Sequence, residues 1–157
     1  MSDVSYRALC FDLFGTLVED DGRAVRGAIP FLATLPPQRW AIVTSASRRV
    51  AAAMLADAGI PQPSILITSD DVERNKPAPD GYRRAVQHLN VLPEDVLVVE
   101  DSLQGIAAAV AAGLDVVALQ RGRSEAFARA ATYVIPEFRD LAIVIPPDDA
   151  AFTFRLV

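Results

Sequence analysis

Short, nearly unbroken apolar runs alternate with longer amphipathic or alanine-rich stretches along this chain. The runs are Arg7–Phe11, Trp40–Val43, Ile65–Thr68, Val96–Val99 and Val116–Leu119, with a weaker one at Tyr133–Ile135. Continuous rather than alternating hydrophobicity indicates strands covered on both faces, as in a parallel sheet. Helical spacing predicts helices over Val25–Leu35, Arg48–Ala58, Pro79–Leu89, Leu103–Ala112 and Ser124–Ala131. Ser47 and Ser102 stand where N-caps belong, Gly59 and Gly113 where a helix ends in left-handed backbone, and Pro79 in a first turn. Strand–helix alternation predicts an α/β fold with a central parallel sheet and right-handed crossovers. Two stretches break the pattern. In Thr16–Val25, apolar residues flank Asp21-Gly22, which reads as a small flap hairpin. Ala151–Val157 alternates loosely behind Pro146-Pro147 and reads as a final edge strand.

Composition narrows this picture. A chain of 157 residues suffices for one domain with a real core, and 52% hydrophobic with 22% charged residues excludes a disordered chain. The net charge of -5 argues against a nucleic-acid partner, which needs a basic surface. Ser102–Leu114, the longest uncharged stretch, is too short to span a membrane, and MSDVSYR holds no signal-peptide apolar region. The single Cys10 lies within the first apolar run and reads as a core thiol; it fits a reducing, cytoplasmic setting.

The candidate chemistry sits at strand ends. Asp12 closes the first run, at the carboxyl end of its strand, where open α/β sheets bind ligands. Gly15 then allows backbone N–H groups close to an anion, and Thr16 follows it. Thr44 and Ser45 close the second run just before a helix start, a place for an anion as well as for simple capping. Capping by Ser45 or Ser47 would leave Thr44 facing the ligand. Lys76, in Asn75-Lys76-Pro77-Ala78-Pro79, is stiffened by prolines and loses little freedom on pairing with a phosphate; a solvated lysine is the plain alternative. Glu100-Asp101 close the fourth run. Adjacent carboxylates repel unless a cation or donors neutralise them, and oxygen-rich sites suit Mg²⁺. One of the two could instead favour the helix start through its dipole. Together these residues make a phosphoryl-transfer set, with Asp12 as nucleophile and Lys76 and Mg²⁺ countering the phosphoryl charge. His88 reads as surface or packing and Trp40 as core; Asp70 and Asp71 read as a turn, with the site's rim as the alternative, and Arg121 and Arg123 as solvated surface, with a reach toward anions as the alternative.

In order and spacing these motifs resemble the haloacid dehalogenase-like hydrolases over roughly Tyr6–Gly122, nearest their sugar-phosphatase and phosphoglycolate-phosphatase-like branch. Asp12 with Gly15-Thr16-Leu17 is similar to the first motif, Thr44 in IVTSAS to the second, Lys76 in NKPAPDGY to the third, and Glu100-Asp101 in VVEDSLQGI to the fourth. The resemblance implies a Rossmann-like three-layer sandwich, Mg²⁺, and an aspartyl-phosphate on Asp12. It implies phosphate contacts from Gly15, Thr16, Thr44, Ser45 and Lys76. It implies metal contacts from Asp12, the Phe14 backbone carbonyl and Asp101, with Glu100 in or beside the coordination sphere.

Two departures qualify it. Family phosphatases carry an acid–base aspartate where this chain has Phe14, so slow hydrolysis of phosphomonoesters is expected. Only Val18–Arg39 separates the first two motifs, so residues 1–157 are expected to form a single core domain without the cap that many relatives insert there. An open site suits a phosphorylated small molecule or macromolecule, or a second subunit covering it. The alternatives are an impaired relative that binds Mg²⁺, phosphate or a protein partner without turnover, and a dehalogenase, for which an aromatic at position 14 speaks but EDSLQG does not. A two-component receiver domain would place its acidic pair after the first strand rather than the fourth.

Overall fold

The computed structural model describes residues 4–144 and 152–156. Strands are β1 (Val4–Tyr6), β2 (Ala8–Phe11), β3 (Trp40–Val43), β4 (Leu66–Ile67), β5 (Val96–Glu100), β6 (Asp115–Leu119), β7 (Tyr133–Ile135), β8 (Leu141–Val144) and β9 (Phe152–Leu156). Helices are α1 (Ala28–Ala33), α2 (Arg48–Ala58), α3 (Asp80–Leu89), α4 (Leu103–Ala111) and α5 (Glu125–Arg129). The main sheet has six strands in the order β4-β3-β2-β5-β6-β7, all parallel. From β2 the chain winds outward through β3 to β4, then returns to β5 on the other side of β2 and winds through β6 to β7. The direction reverses between β2 and β5, and the carboxyl ends of those two strands carry Asp12 and Glu100-Asp101. Open sheets bind ligands at such a switch point.

The sheet is covered on both faces, which explains the unbroken apolar runs. Leu9, Phe11, Leu97, Val99, Val117 and Leu119 share one buried cluster with Ala28, Leu32, Ala51 and Leu55 of α1 and α2. Their strand neighbours Ala8, Cys10, Val96, Val98, Val116 and Ala118 share the other with Tyr82, Ala85, Val86, Ile106, Ala109 and Phe127 of α3, α4 and α5. Alternate residues of one strand thus serve opposite layers, and the expected three-layer α/β sandwich is present. The first face is aromatic: Phe11 meets Phe31 and Trp40 edge-on, each with ring centres 6.1 Å apart. The second uses small strand residues, so α3 comes close; a Cβ on Gly81 would lie 2.9 Å from Val43 Cγ1. Cys10 is fully buried there, as expected, and burial pushes its thiol up to about 12.

Ends follow local chemistry. Helix α2 has the bounds expected for it, with the Ser47 hydroxyl accepting the Val50 N–H and Gly59 turning left-handed at φ 70°. The Ser102 hydroxyl accepts from Gly105 N–H at the start of α4. Helix α1 is shorter than the expected Val25–Leu35: Gly27, at φ 90°, ends the preceding turn, and the helix stops before Pro36. The expected flap is reduced to a tight hairpin. One Val18–Ala24 bridge closes it, with Glu19 N–H donating to Arg23 O (2.7 Å) and Val25 N–H to Leu17 O (2.8 Å). The stretch between Val18 and Arg39 holds this hairpin, α1 and a 3₁₀ turn at Pro37–Arg39.

The C-terminal expectation needs correction. Phe152–Leu156 is a strand, but it is the middle strand of a second, antiparallel sheet, β1-β9-β8, and not an edge of the main sheet. Pro146-Pro147, Ala151 and Val157 lie outside the described residues, as do Met1–Asp3. Among the described residues, no helix is long and apolar enough to cross a membrane.

Candidate active site

The carboxyl ends of β2, β3 and β5 and the Lys76 segment converge on Asp12. Its Oδ1 accepts from Lys76 Nζ at 2.7 Å. The same ammonium donates to Glu100 Oε1 (2.7 Å) and to the Val43 carbonyl at the end of β3 (2.9 Å). Three acceptors therefore satisfy all three donors of a buried lysine. The other Asp12 oxygen faces the Thr16 hydroxyl at 3.4 Å, which also lies 3.2 Å from Asp101 Oδ1. Glu100 is wholly buried. The Tyr82 hydroxyl donates to its Oε1, and Asp101 N–H and the Ser102 hydroxyl donate to its Oε2. A Cβ on Gly105 would lie 2.0 Å from that carboxylate, so α4 begins against it with no space between.

Thr44 is buried, and its hydroxyl accepts the Ala46 N–H at 3.1 Å. Ser45 is exposed beside it, while Ser47 performs the helix cap. Of the two serines offered for the cap, Ser47 makes it, and the Thr44 hydroxyl closes the turn before it through Ala46. Gly15 has φ +85° and sits directly on Asp101. Phe14, by contrast, points outward, 54% exposed.

Charges do not balance at this point. Asp12, Glu100 and Asp101 each bring an oxygen within 4.8 Å of the others, all three buried. Lys76 and Arg123 are the cations bonded to them. Burial, then the Glu100 charge, raises Asp12 above the usual carboxylate range, against the pull of Lys76. Burial and then the Asp12 carboxylate push Asp101 up to about 6, with Arg123 opposing. Burial alone would lower Lys76, but Asp12 and Glu100 outweigh it and hold the ammonium above its ordinary value. A further cation would relieve the excess negative charge, and an all-oxygen donor set suits a hard divalent ion.

Three participants are missed or underweighted by sequence reasoning. Arg121 and Arg123, expected as solvated surface, both bond toward the site, although Arg123 stays exposed. Arg121 donates to the Gly15 carbonyl (2.9 Å) and pairs with Glu19 of the flap. Arg123 Nη2 lies 3.1 Å from Asp101 Oδ2. Their position after the strand adjacent to Glu100-Asp101 was the available signal. Tyr82 holds Glu100 from within the core. The remaining bland readings stand: His88 is exposed on α3, Trp40 is buried, and Asp70 and Asp71 lie in a 3₁₀ turn capped by Thr68.

Comparison with known proteins decides the family. Residues 20–113 match the model for haloacid dehalogenase-like hydrolases. The chain belongs to that family. Among curated relatives, it is 42% identical over 98 residues to hexitol phosphatase A of Escherichia coli, covering 61% of this chain and 45% of that protein. It is 43% identical over 98 residues to validoxylamine A 7'-phosphate phosphatase of Streptomyces hygroscopicus, covering 60% of this chain and 46% of that protein. The chain therefore spans about half the length of the curated relatives it matches. Among solved structures, a family hydrolase from Deinococcus radiodurans with bound phosphate and sodium shares the fold with a TM-score of 0.76. Identity is 24%, over 83% of this chain and 90% of that one. CbbY of Rhodobacter sphaeroides, solved with phosphate, gives a TM-score of 0.64 and 28% identity, over 75% of this chain and 56% of that one. These haloacid dehalogenase-like relatives include named phosphatases of phosphorylated sugars and polyols.

Proposed function

We propose that this chain hydrolyses phosphomonoesters through an aspartyl-phosphate on Asp12, slowly, with a divalent cation such as Mg²⁺. One observation carries the reading: Asp12 stands at the switch point with one oxygen on the Lys76 ammonium and the other turned toward Asp101 across Thr16. Asp12, Asp101 and the Phe14 carbonyl would hold the metal, with Glu100 beside them. Bound there, Mg²⁺ supplies positive charge against the phosphoryl oxygens.

The chain's own residues do the rest. Lys76 favours the ionised form of Asp12 against the burial that opposes it, and screens the approaching phosphoryl group from its charge. An Asp12 oxygen bonds to phosphorus as the ester P–O bond breaks, and the departing alkoxide takes a proton from water, because Phe14 has none to give. Water then attacks the acyl phosphate, releasing phosphate and restoring Asp12. Thr16, Thr44, Ser45 and the N–H groups around Gly15 orient the phosphoryl oxygens.

The substrate class follows the relatives' names: a phosphorylated sugar or polyol. We read residues 1–157 as a single core domain without a cap, so the site is open to a small molecule, a larger phosphorylated partner, or a covering subunit of a homo-oligomer. The single buried thiol supports a cytoplasmic setting. The half-exposed Phe14 favours a second reading, a relative that binds metal and phosphate without turnover. Hydrolysis of p-nitrophenyl phosphate and a sugar-phosphate panel, with and without Mg²⁺, separates the two. Metal-dependent turnover lost in Asp12→Asn supports the phosphatase. Turnover equal to that of Asp12→Asn overturns it.

A further inference from the structure

The loop joining β6 to α5 reads Gln120-Arg121-Gly122-Arg123-Ser124. Arg121 at φ 44° and Gly122 at φ 79° bend it back over the carboxyl end of the sheet. The loop closes on itself: Arg123 N–H donates to the Gln120 carbonyl (2.8 Å), and Gln120 Nε2 donates to the Arg123 carbonyl (3.2 Å). Its two arginines therefore start from fixed backbone positions and do different things. Arg121 reaches the Gly15 carbonyl and the flap carboxylate Glu19. Arg123 reaches Asp101, with its guanidinium 5.0 Å from the Phe127 ring centre.

The Asp101 carboxylate is crowded. Oδ1 faces the Thr16 hydroxyl, and Gly15 presses on Oδ2, the oxygen that Arg123 holds at 3.1 Å. A metal ion shared between Asp12 and Asp101 has to share this carboxylate with a guanidinium. Two cations on one small anion repel each other, so each weakens the other's hold.

We propose that Arg123 competes with the divalent cation for Asp101 and thereby sets the metal affinity of the site. This rests on the reading of Asp12 and Asp101 as metal ligands. Displacing the guanidinium is made easy by its surroundings. The Arg123 side chain is 41% exposed. An open cavity of about 420 Å³, lined by Leu103, Gln104, Ser124 and Phe127, adjoins the ion pair. The guanidinium already lies over the Phe127 ring, a contact it can keep as it swings away from Asp101. An exposed surface arginine would leave metal binding unchanged. An arginine that competes raises the cation concentration needed to fill the site.

The test is Mg²⁺ titration by calorimetry at constant ionic strength, on the wild type, Arg123→Gln, Arg123→Lys and Asp101→Asn. Competition predicts roughly twofold to fivefold tighter Mg²⁺ binding in Arg123→Gln, the range open to a partly exposed ion pair. Arg121→Gln removes the same charge from the same loop without touching Asp101, and its shift should be smaller. A second readout needs no variant. Phenylglyoxal labelling of the wild type, resolved by mass spectrometry, should rise at Arg123 when Mg²⁺ is added and stay constant at Arg129. Unchanged affinity in Arg123→Gln, with binding lost in Asp101→Asn, overturns the competition and leaves the metal site standing. Equal tightening in both arginine variants, with no change in Arg123 labelling, also overturns it, reducing the effect to net charge. No Mg²⁺ binding by the wild type overturns both.

Discussion

Gly15 and Asp101 meet with no room for one more carbon: a Cβ on Gly15 would lie 2.0 Å from Asp101 Oδ2. The loop after the nucleophile is thus shaped around a carboxylate from a different strand. The backbone also needs glycine at φ +85°, where an L-residue is strained. Gly15→Ala should cost about 1–2 kcal/mol from backbone strain alone, and it must also push the Asp101 side chain aside. Expected outcomes are a lower melting temperature and weakened Mg²⁺ binding, seen by thermal melts with and without the ion. A variant with unchanged melting and metal response would contradict this packing.

Lys76 answers two buried carboxylates at once, with Asp12 and Glu100 each 2.7 Å away. Removing one partner of a buried ion pair leaves an uncompensated charge, at a cost of about 3–5 kcal/mol. Lys76→Met keeps the stem and loses the ammonium. It should unfold at markedly lower denaturant at pH 7.5 than the wild type, and part of the loss should return at pH 5, because Asp12, already raised by burial and freed of the ammonium that opposed it, takes up a proton more readily. A denaturation midpoint that stays lowered by the same amount at both pH values would argue against the charge account.

Much of this arrangement could be read before the fold was known, for physical reasons. Strands buried on both faces leave unbroken apolar runs, so Trp40–Val43 and Tyr133–Ile135 coincide with β3 and β7. Helix α2 was bounded by Ser47 and Gly59, whose capping roles are local. Asp12, Lys76, Glu100 and Asp101 stood out because polar residues at the ends of apolar runs need a reason. Tyr82 did not, because it shares its helix face with the core residues Ala85, Val86 and Leu89 and reads as packing. Arg123 did not, because a polar loop looks solvated until its backbone is seen to double back. The second sheet was invisible because β1 pairs with a strand at the opposite end of the chain, which leaves no local signal.

Asp101 gives a pH dependence with a definite sign. Its folded-state value of about 6 lies above the ordinary 3.8, so the fold favours the protonated carboxyl. This group therefore costs stability above pH 6, and the cost is relieved as pH falls toward 4. A metal ion needs the ionised form and competes with the proton. The rise in melting temperature produced by Mg²⁺ should be large at pH 7.5 and shrink at pH 5. Equal stabilisation at both pH values would mean that the ion does not use Asp101.

Phe14 is the cheapest residue in the site to change. Its side chain is 54% exposed, so Phe14→Asp gives up little packing and should fold like the wild type. The backbone of Phe14 bridges to Val18, which sets the direction of its side chain and survives the substitution. An aspartate there adds what the proposed reaction lacks: a proton for the departing alkoxide and then a base for the attacking water. Positioned acid–base groups are worth about 10²–10⁴-fold. Phosphomonoester turnover should therefore rise by one to several orders of magnitude and acquire a pH optimum, with KM little changed. Asp12→Asn added to Phe14→Asp should remove the gain entirely. A folded Phe14→Asp variant with metal bound and no gain in turnover would mean that water already protonates the leaving group well enough, or that chemistry is not the slow step. Burst kinetics, which show a fast first turnover only when a later step is slow, separate those two outcomes.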